Sequence, residues 1–340
     1  MSVASSRSKG EAMTTRAALG PEVLAFDADA EVKRICDWMI ETVATTLQRR
    51  GVIIAISGGV DSSVCAALAV RAFGTEKVYG LLLPEHDSSN TSAELGRLVA
   101  EGLGLPYELF DIAPALEGLG CYRQRDAAIR AVFPAYAEDW KCKIVIAGGT
   151  AGGINFFKLV VQDPVGKQEE ARLPLREYLQ IVAATNHKQR IRKTVEYYHA
   201  DRLNYAVIGT PNRLEYDQGF FVKNGDGAAD LKPIAHLYKT QVYALARHLG
   251  LPDVVCNAQP TTDTYSLAQG QDEFYFALPY HQMDIALWAH NHQLPASELA
   301  IALGVSEDQV RFIYTDIESK RRATRYLHAF PALVEPVLAS

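Results

Sequence analysis

The most constraining stretch of this 340-residue chain is Ser57-Gly58-Gly59-Val60-Asp61-Ser62-Ser63, placed directly after the apolar run Val52-Ile53-Ile54-Ala55-Ile56. That run reads as a buried strand, and the Ala-rich segment from Val64 to Phe73 reads as a helix. A strand and a helix joined by so short a loop point to one unit of a parallel sheet. The glycines let the backbone turn sharply and approach an anion without Cβ clashes. Loop amides, hydroxyls and the helix N-terminus then face one point, an assembly that suits a phosphate group. Asp61 would repel a bare anion, so its presence suggests a bridging Mg²⁺. No Gly-Lys-Ser or Gly-Lys-Thr follows, which excludes the Walker loop.

The neighbouring segments keep the same rhythm. Residues from about 28 to 49 carry apolar residues at helical spacing and stop at Gly51. A second strand reads from Val78 to Pro84, a helix from about Ser92 to Gly102, and a short strand from Tyr107 to Ile112. The fold class expected is therefore α/β: a Rossmann-like parallel sheet flanked by helices. Residues 118–174 break the rhythm and read as an insertion. It holds a helix (Arg125–Phe133), a strand (Lys143–Ala147), a Gly-Gly-Thr-Ala-Gly-Gly linker and two strand-like runs joined by Asp163-Pro-Val-Gly166, a β-hairpin signature. Regular structure resumes with a long helix from Tyr178 to about His199, a strand Tyr205–Thr210, a loop Pro211–Pro233 and a helix starting near Tyr238. The C-terminal part is helical. The main domain is expected over 28–117 and 175–330, with a disordered tail at 1–27 and a C-terminal tail at 331–340.

Composition narrows the function. With 48% hydrophobic and 22% charged residues the chain can bury a sizeable core. A net charge of −6 argues against a nucleic-acid partner. The five cysteines are scattered without a Cys-x-x-Cys pair, so neither zinc nor dithiol chemistry is indicated, and reduced thiols in a cytoplasmic protein are expected. No apolar run of about 18 residues appears, so no membrane span is expected.

The Ser57–Ser63 string resembles the signature of the PP-loop ATP pyrophosphatases, which split ATP between its α and β phosphates. The loop alone does not choose among GMP, argininosuccinate, asparagine and NAD synthetases or the tRNA-modifying enzymes. The second half chooses. Asn186-His-Lys-Gln-Arg190-Ile-Arg192, Thr210-Pro-Asn-Arg-Leu-Glu215, Gly219-Phe-Phe-Val-Lys223-Asn-Gly-Asp226-Gly-Ala-Ala-Asp230 and Leu237-Tyr-Lys239-Thr-Gln241 resemble the ammonia-dependent NAD synthetase family. The resemblance runs from about residue 34 to 111 and from 178 to 325.

The resemblance implies roles residue by residue. ATP would be held by Ser57, Gly58, Gly59, Val60, Asp61, Ser62 and Ser63, with Arg190, Arg192, Thr210, Lys239 and Thr261. Asp61 and Glu215 would share Mg²⁺, and two hard oxygen ligands suit a magnesium–pyrophosphate complex. Lys239 would steady the phosphates in the transition state. Lys223, Asp226 and Asp230 would hold the acid, nicotinic acid adenine dinucleotide, and Lys320 would complete the catalytic set with Asp61 and Lys239. The family also implies a homodimer.

The chemistry that follows is amidation. A carboxylate attacks the α-phosphorus of ATP, pyrophosphate leaves, and ammonia displaces AMP from the acyl-adenylate. Catalysis is positioning and charge stabilisation. At 340 residues no added glutaminase domain is expected, so ammonia is expected to come free or from a separate glutaminase. Three features depart from the family pattern: the insertion, Ser319 where the family carries histidine before Lys320, and the segment Thr264–Asp284 after the Pro260 loop. They leave open a ligase for a different carboxylic acid. A tRNA-modifying enzyme would want a basic surface and catalytic cysteines, and a non-catalytic nucleotide regulator would not need Asp61, Glu215 and Lys239 together.

Overall fold

The computed structural model describes residues 19–147, 156–260, 264–267, 269–270, 275 and 278–337. Strand β1 (Val52–Ala55) is central to a parallel sheet of order β3-β2-β1-β7, with β2 at Val78–Leu82, β3 at Tyr107–Leu109 and β7 at Ala206–Val207. Val52, Ile53 and Ile54 are fully buried, because helices cover both faces. Helices α1 (Ala28–Glu41) and α2 (Val60–Phe73) pack on one face with Val64, Leu68 and Met39. Asp27 caps α1 by accepting from the Ala30 amide at 3.0 Å. Helix α3 (Asn90–Gly102) joins β2 to β3. On the opposite face Ile53, Leu81 and Val207 meet Leu116 of α4 (Ala113–Gly118) and Cys121 of α5 (Cys121–Val132).

The insertion folds as its sequence suggests. Strands β4 (Lys141–Ala147), β5 (Phe156–Gln162) and β6 (Gln168–Arg172) form an antiparallel sheet of order β4-β5-β6. The β5–β6 hairpin turns at Asp163–Gly166, where Asp163 Oδ1 accepts from the amides of Val165 and Lys167 at 3.0 and 2.8 Å. Gly166 has φ +91°. Strand β6 is the outer edge and is largely exposed. The Gly-Gly-Thr-Ala-Gly-Gly linker lies outside the described residues.

Helix α6 (Leu175–Leu203) has 29 residues and serves both sheets. Its Ile181 joins Ile144, Leu159 and Ile129 in the insertion core, while Ala200 packs under the parallel sheet. It ends at Asn204 in the left-handed conformation.

Three boundaries differ from the sequence reading. Helix α2 starts at Val60, inside the Gly-rich loop, so Asp61 to Ser63 are helical. The stretch 211–233 is not all loop. Asn212 and Glu215 form a capping box that nucleates α7 (Arg213–Gln218). Residues 19–27 are not part of a tail: Pro21–Leu24 makes a 3₁₀ turn, Leu24 is buried against the C-terminal helices, and Gln241 donates to its carbonyl at 3.0 Å.

The C-terminal part comprises α8 (Lys239–His248), α9 (Asp253–Cys256), α10 (Tyr280–Asn291), α11 (Ala296–Leu303) and α12 (Glu307–His328). All five cysteines are buried and unpaired with one another. Among the described residues no helix is long and apolar enough to cross a membrane.

Candidate active site

Strand order β3-β2-β1-β7 reverses direction between β1 and β7, the position where α/β sheets bind ligands beyond the strand ends. A cavity of about 1040 Å³ opens there. The Ser57–Ser62 loop follows β1 and forms its floor. Gly58 sits at φ +83°, and a Cβ there would lie 2.6 Å from the Ser92 carbonyl. Gly59 is unconstrained by comparison, with φ −76° and only Ser57 Oγ near, at 3.5 Å. The loop is held by Ser62, whose hydroxyl accepts from the Ser57 amide at 3.2 Å and donates to the Gly59 carbonyl at 3.1 Å. Ser63 donates to the same carbonyl at 2.9 Å and does not line the cavity. No side chain caps α2, and an uncapped helix N-terminus beside a cavity is an arrangement that suits an anion.

Asp61, on the first turn of α2, accepts from the Lys239 ammonium and, at 3.1 Å, from the Asn212 side-chain Nδ2. Lys239 opens α8 and is fully buried. Burial works to lower its pKa, but the carboxylates of Asp61 and Glu215 outweigh that and hold it above the ordinary lysine value. Glu215 reaches this group from α7, where its Oε2 accepts from the Asn212 backbone N–H at 3.1 Å. The two carboxylates therefore converge on one buried ammonium. Their hard oxygens fit a divalent cation that takes its remaining ligands from phosphate and water. A cluster of three or more His, Cys, Asp or Glu is absent among the described residues, and a magnesium nucleotide does not require one.

The other predicted residues divide. Arg190, Arg192, Thr210, Lys223, Asp226 and Lys320 line the cavity. Arg192 donates to the Leu83 carbonyl at 3.1 Å and to Ser88 Oγ at 3.3 Å, so it braces the loop after β2. Arg190 donates to the Lys223 carbonyl at 3.3 Å. The Lys223 ammonium donates to the carbonyls of Tyr326 and Ala329, at 2.7 and 3.1 Å, at the end of α12. Asp226 is half-buried; desolvation pushes its pKa up although it accepts from the Val222 amide at 2.8 Å. Burial lowers the pKa of Lys320, which donates to Asp316 at 2.5 Å and to the Tyr275 carbonyl at 2.6 Å. Asp230 stands apart: it accepts from the Val207 amide at 2.7 Å and Tyr197 at 3.2 Å, and lies outside the cavity lining. Thr261 lies outside the described residues.

Sequence reasoning missed several groups. Asn212 links the carboxylates of Asp61 and Glu215, and its spacing to Glu215 is the capping-box signal that would have found it. Lys193 and Glu196 form a buried pair at 2.7 Å on the cavity wall. Lys188 continues the buried stripe Ile181, Ala184, Thr185 on α6, and a lysine in an apolar stripe is itself a signal.

A family model described as NAD synthase matches residues 31–131 and 153–325. The unmatched interval is narrower than the insertion expected at 118–174. The NH(3)-dependent NAD(+) synthetase of Mesorhizobium japonicum is 57% identical over 312 residues, covering 92% of this chain and 98% of that one. An alignment of that length must run through part of the insertion. The protein of the same description from Rhizobium meliloti is 55% identical over 323 residues, covering 95% and 96%. Among solved structures, an NH3-dependent NAD synthetase from Campylobacter jejuni superposes with a TM-score of 0.60 at 20% identity, covering 92% of this chain and 100% of that one. That likeness bears on the fold alone. With a family match across most of its length and relatives above half identity, the chain belongs to the NAD synthase family.

Proposed function

We propose that this protein is an ammonia-dependent NAD synthetase, which adenylates the carboxylate of nicotinic acid adenine dinucleotide with ATP and transfers the acyl group to ammonia. The observation that carries the reading is the meeting of the Ser57–Ser62 loop, Asp61, Glu215 and Lys239 in one cavity, in a chain whose relatives bear that name. The α2 N-terminus and loop amides receive phosphate oxygens. Lys239 is held rigidly by Asp61, so it meets charge that develops on the leaving pyrophosphate without reorganising. Mg²⁺ held by Asp61 and Glu215 would add Lewis-acid neutralisation of that charge. Arg190, Lys223 and Lys320 are cations on the wall that suit the acid and its phosphates. A homodimer is part of the same proposal, supported by the exposed Leu175, Leu179 and Tyr198 along α6.

The test is a reconstitution. Purified protein is incubated with ATP, Mg²⁺, an ammonium salt and nicotinic acid adenine dinucleotide. NAD, AMP and pyrophosphate are expected in equal amounts. Unchanged dinucleotide, with pyrophosphate release dependent on some other acid, overturns the reading.

A further inference from the structure

Lys188 carries a charge that the proposed chemistry does not use. Its side chain is 1% exposed, on the third to fourth turn of α6. The ammonium meets three oxygens on two separate segments, donating to Asp87 and Thr264 and ion-pairing with Glu85. Glu85 Oε1 at 3.1 Å and the Asp87 carboxylate belong to the loop after β2. The Thr264 carbonyl, at 2.9 Å, belongs to the chain that follows Pro260.

Both segments are cavity walls. The loop after β2 contributes Leu83, Pro84 and Ser88, beside the phosphate loop after β1, and the other segment contributes Pro260, Thr264 and Tyr265. Each is tied again nearby. Arg125, from the insertion helix α5, also pairs with Asp87. The Tyr122 hydroxyl donates to Glu85 Oε2 at 2.9 Å. Past Thr264, the chain lies along the β4 edge, with the Cys142 amide donating to Ser266 Oγ at 2.9 Å and the Leu267 amide to the Cys142 carbonyl at 3.1 Å.

We propose that Lys188 is a positioning residue for nucleotide binding: its ammonium pins the loop after β2 to the segment at Thr264 and sets the separation of the two walls between which ATP lies. A buried ion cluster is a weak source of net stability, because desolvation offsets most of the attraction. Its geometric effect is firmer. Three oxygens are fixed around one nitrogen, and small displacements of positioning groups weaken a site strongly. Arg192 grips the same loop one turn further along α6, at Leu83 and Ser88. The insertion acts through this clamp, since it supplies Arg125 from α5 and the β4 edge. The proposal rests on reading the cavity as the ATP site.

Two variants of the full chain separate positioning from framework. Lys188→Met removes the ammonium at similar volume. Lys188→Met with Asp87→Asn removes one charge of each sign and restores balance in the cluster. Thermal melts report folding, calorimetric titration with Mg-ATP reports affinity, and steady-state rates split KM from kcat. The expected result is that the double variant recovers most of the melting temperature lost by the single one. In both, Kd and KM for ATP remain raised tenfold or more, and kcat changes less than threefold. Affinity that returns with stability, or a Kd within twofold of the wild-type value, overturns the proposal. Failure of both variants to fold marks Lys188 as framework and overturns it equally. ATP titration does not depend on which acid is amidated, so loss of the NAD synthesis reading would leave this test standing.

Discussion

The Lys239 ammonium donates to the Asp61 carboxylate, joining the N-terminus of α8 to that of α2 across 178 residues of sequence. Two helix N-termini that face one cavity would each favour an anion there. The ion pair fixes both and points a cation at the same place.

The first prediction concerns that pair. Lys239→Met is expected to lower kcat roughly 10²–10³-fold, the scale for loss of one preorganised charge donor. Asp61→Asn is expected to nearly abolish pyrophosphate release. Pyrophosphate assays on variants with cooperative melts check both, and near-normal turnover of Asp61→Asn would contradict the metal assignment.

Glu215→Gln keeps an acceptor for the Asn212 amide, so α7 should remain capped. It removes one of the two anionic ligands proposed for Mg²⁺. The Mg²⁺ concentration for half-maximal rate should rise about tenfold or more, and chelation should stop the wild-type reaction. A Mg²⁺ titration of both proteins decides the matter; superimposable curves would remove Glu215 from the metal site.

The two loop glycines should respond differently. Gly58→Ala places a Cβ on backbone at φ +83° and against the Ser92 carbonyl. A left-handed conformation alone costs a non-glycine residue about 1–2 kcal/mol, and the clash with fixed backbone adds to it. A lower melting temperature and loss of ATP binding are expected. Gly59→Ala meets only Ser57 Oγ at 3.5 Å, so its melt should stay close to wild type. Equal destabilisation by both would refute the assigned geometry.

The glycines also mark how far the sequence could be read. Strand, loop and helix around Ser57–Ser63 were legible because an apolar run, a turn signal and an Ala-rich segment follow one another. The hairpin at Asp163–Gly166 was legible for the same local reason. Which glycine bears the left-handed turn was not, since that depends on where α3 brings Ser92. Helix α7 was hidden by its length: six residues give little periodicity, and only the Asn212–Glu215 spacing betrays it. The Glu85, Asp87, Arg125 and Lys188 cluster joins three places distant in sequence, and charge pairing across such distances leaves no local pattern. Asp230 shows the converse. Its place in a recognisable segment suggested a ligand contact, yet its carboxylate serves the backbone at Val207.

A fourth prediction is a pH dependence. Asp284, on α10, accepts from the amides of Lys239 and Thr240 at 3.2 and 2.7 Å, and burial pushes its pKa up to about 6 against those bonds. The folded state thus binds its proton more tightly than the unfolded chain does. Its contribution to stability is fully present below the unfolded value near 4 and is lost as pH rises through about 6. Melting temperatures of wild type and Asp284→Asn should therefore draw together, or cross in favour of the variant, between pH 4 and 7. A constant difference across that window would refute the assignment.

The added sheet ends in β6, a five-residue strand reading Gln-Glu-Glu-Ala-Arg, mostly exposed, with Lys158 and Lys167 paired to its glutamates at 2.6 and 2.7 Å. An outer strand with unpaired amides and carbonyls invites another chain to zip onto it. Here the invitation is brief and charged. A copy arriving in parallel or antiparallel would bring like carboxylates together and find few residues to pair with. The second sheet thus lends Ile146 and Phe157 to the cavity wall while its outer rim stays a poor template for aggregation.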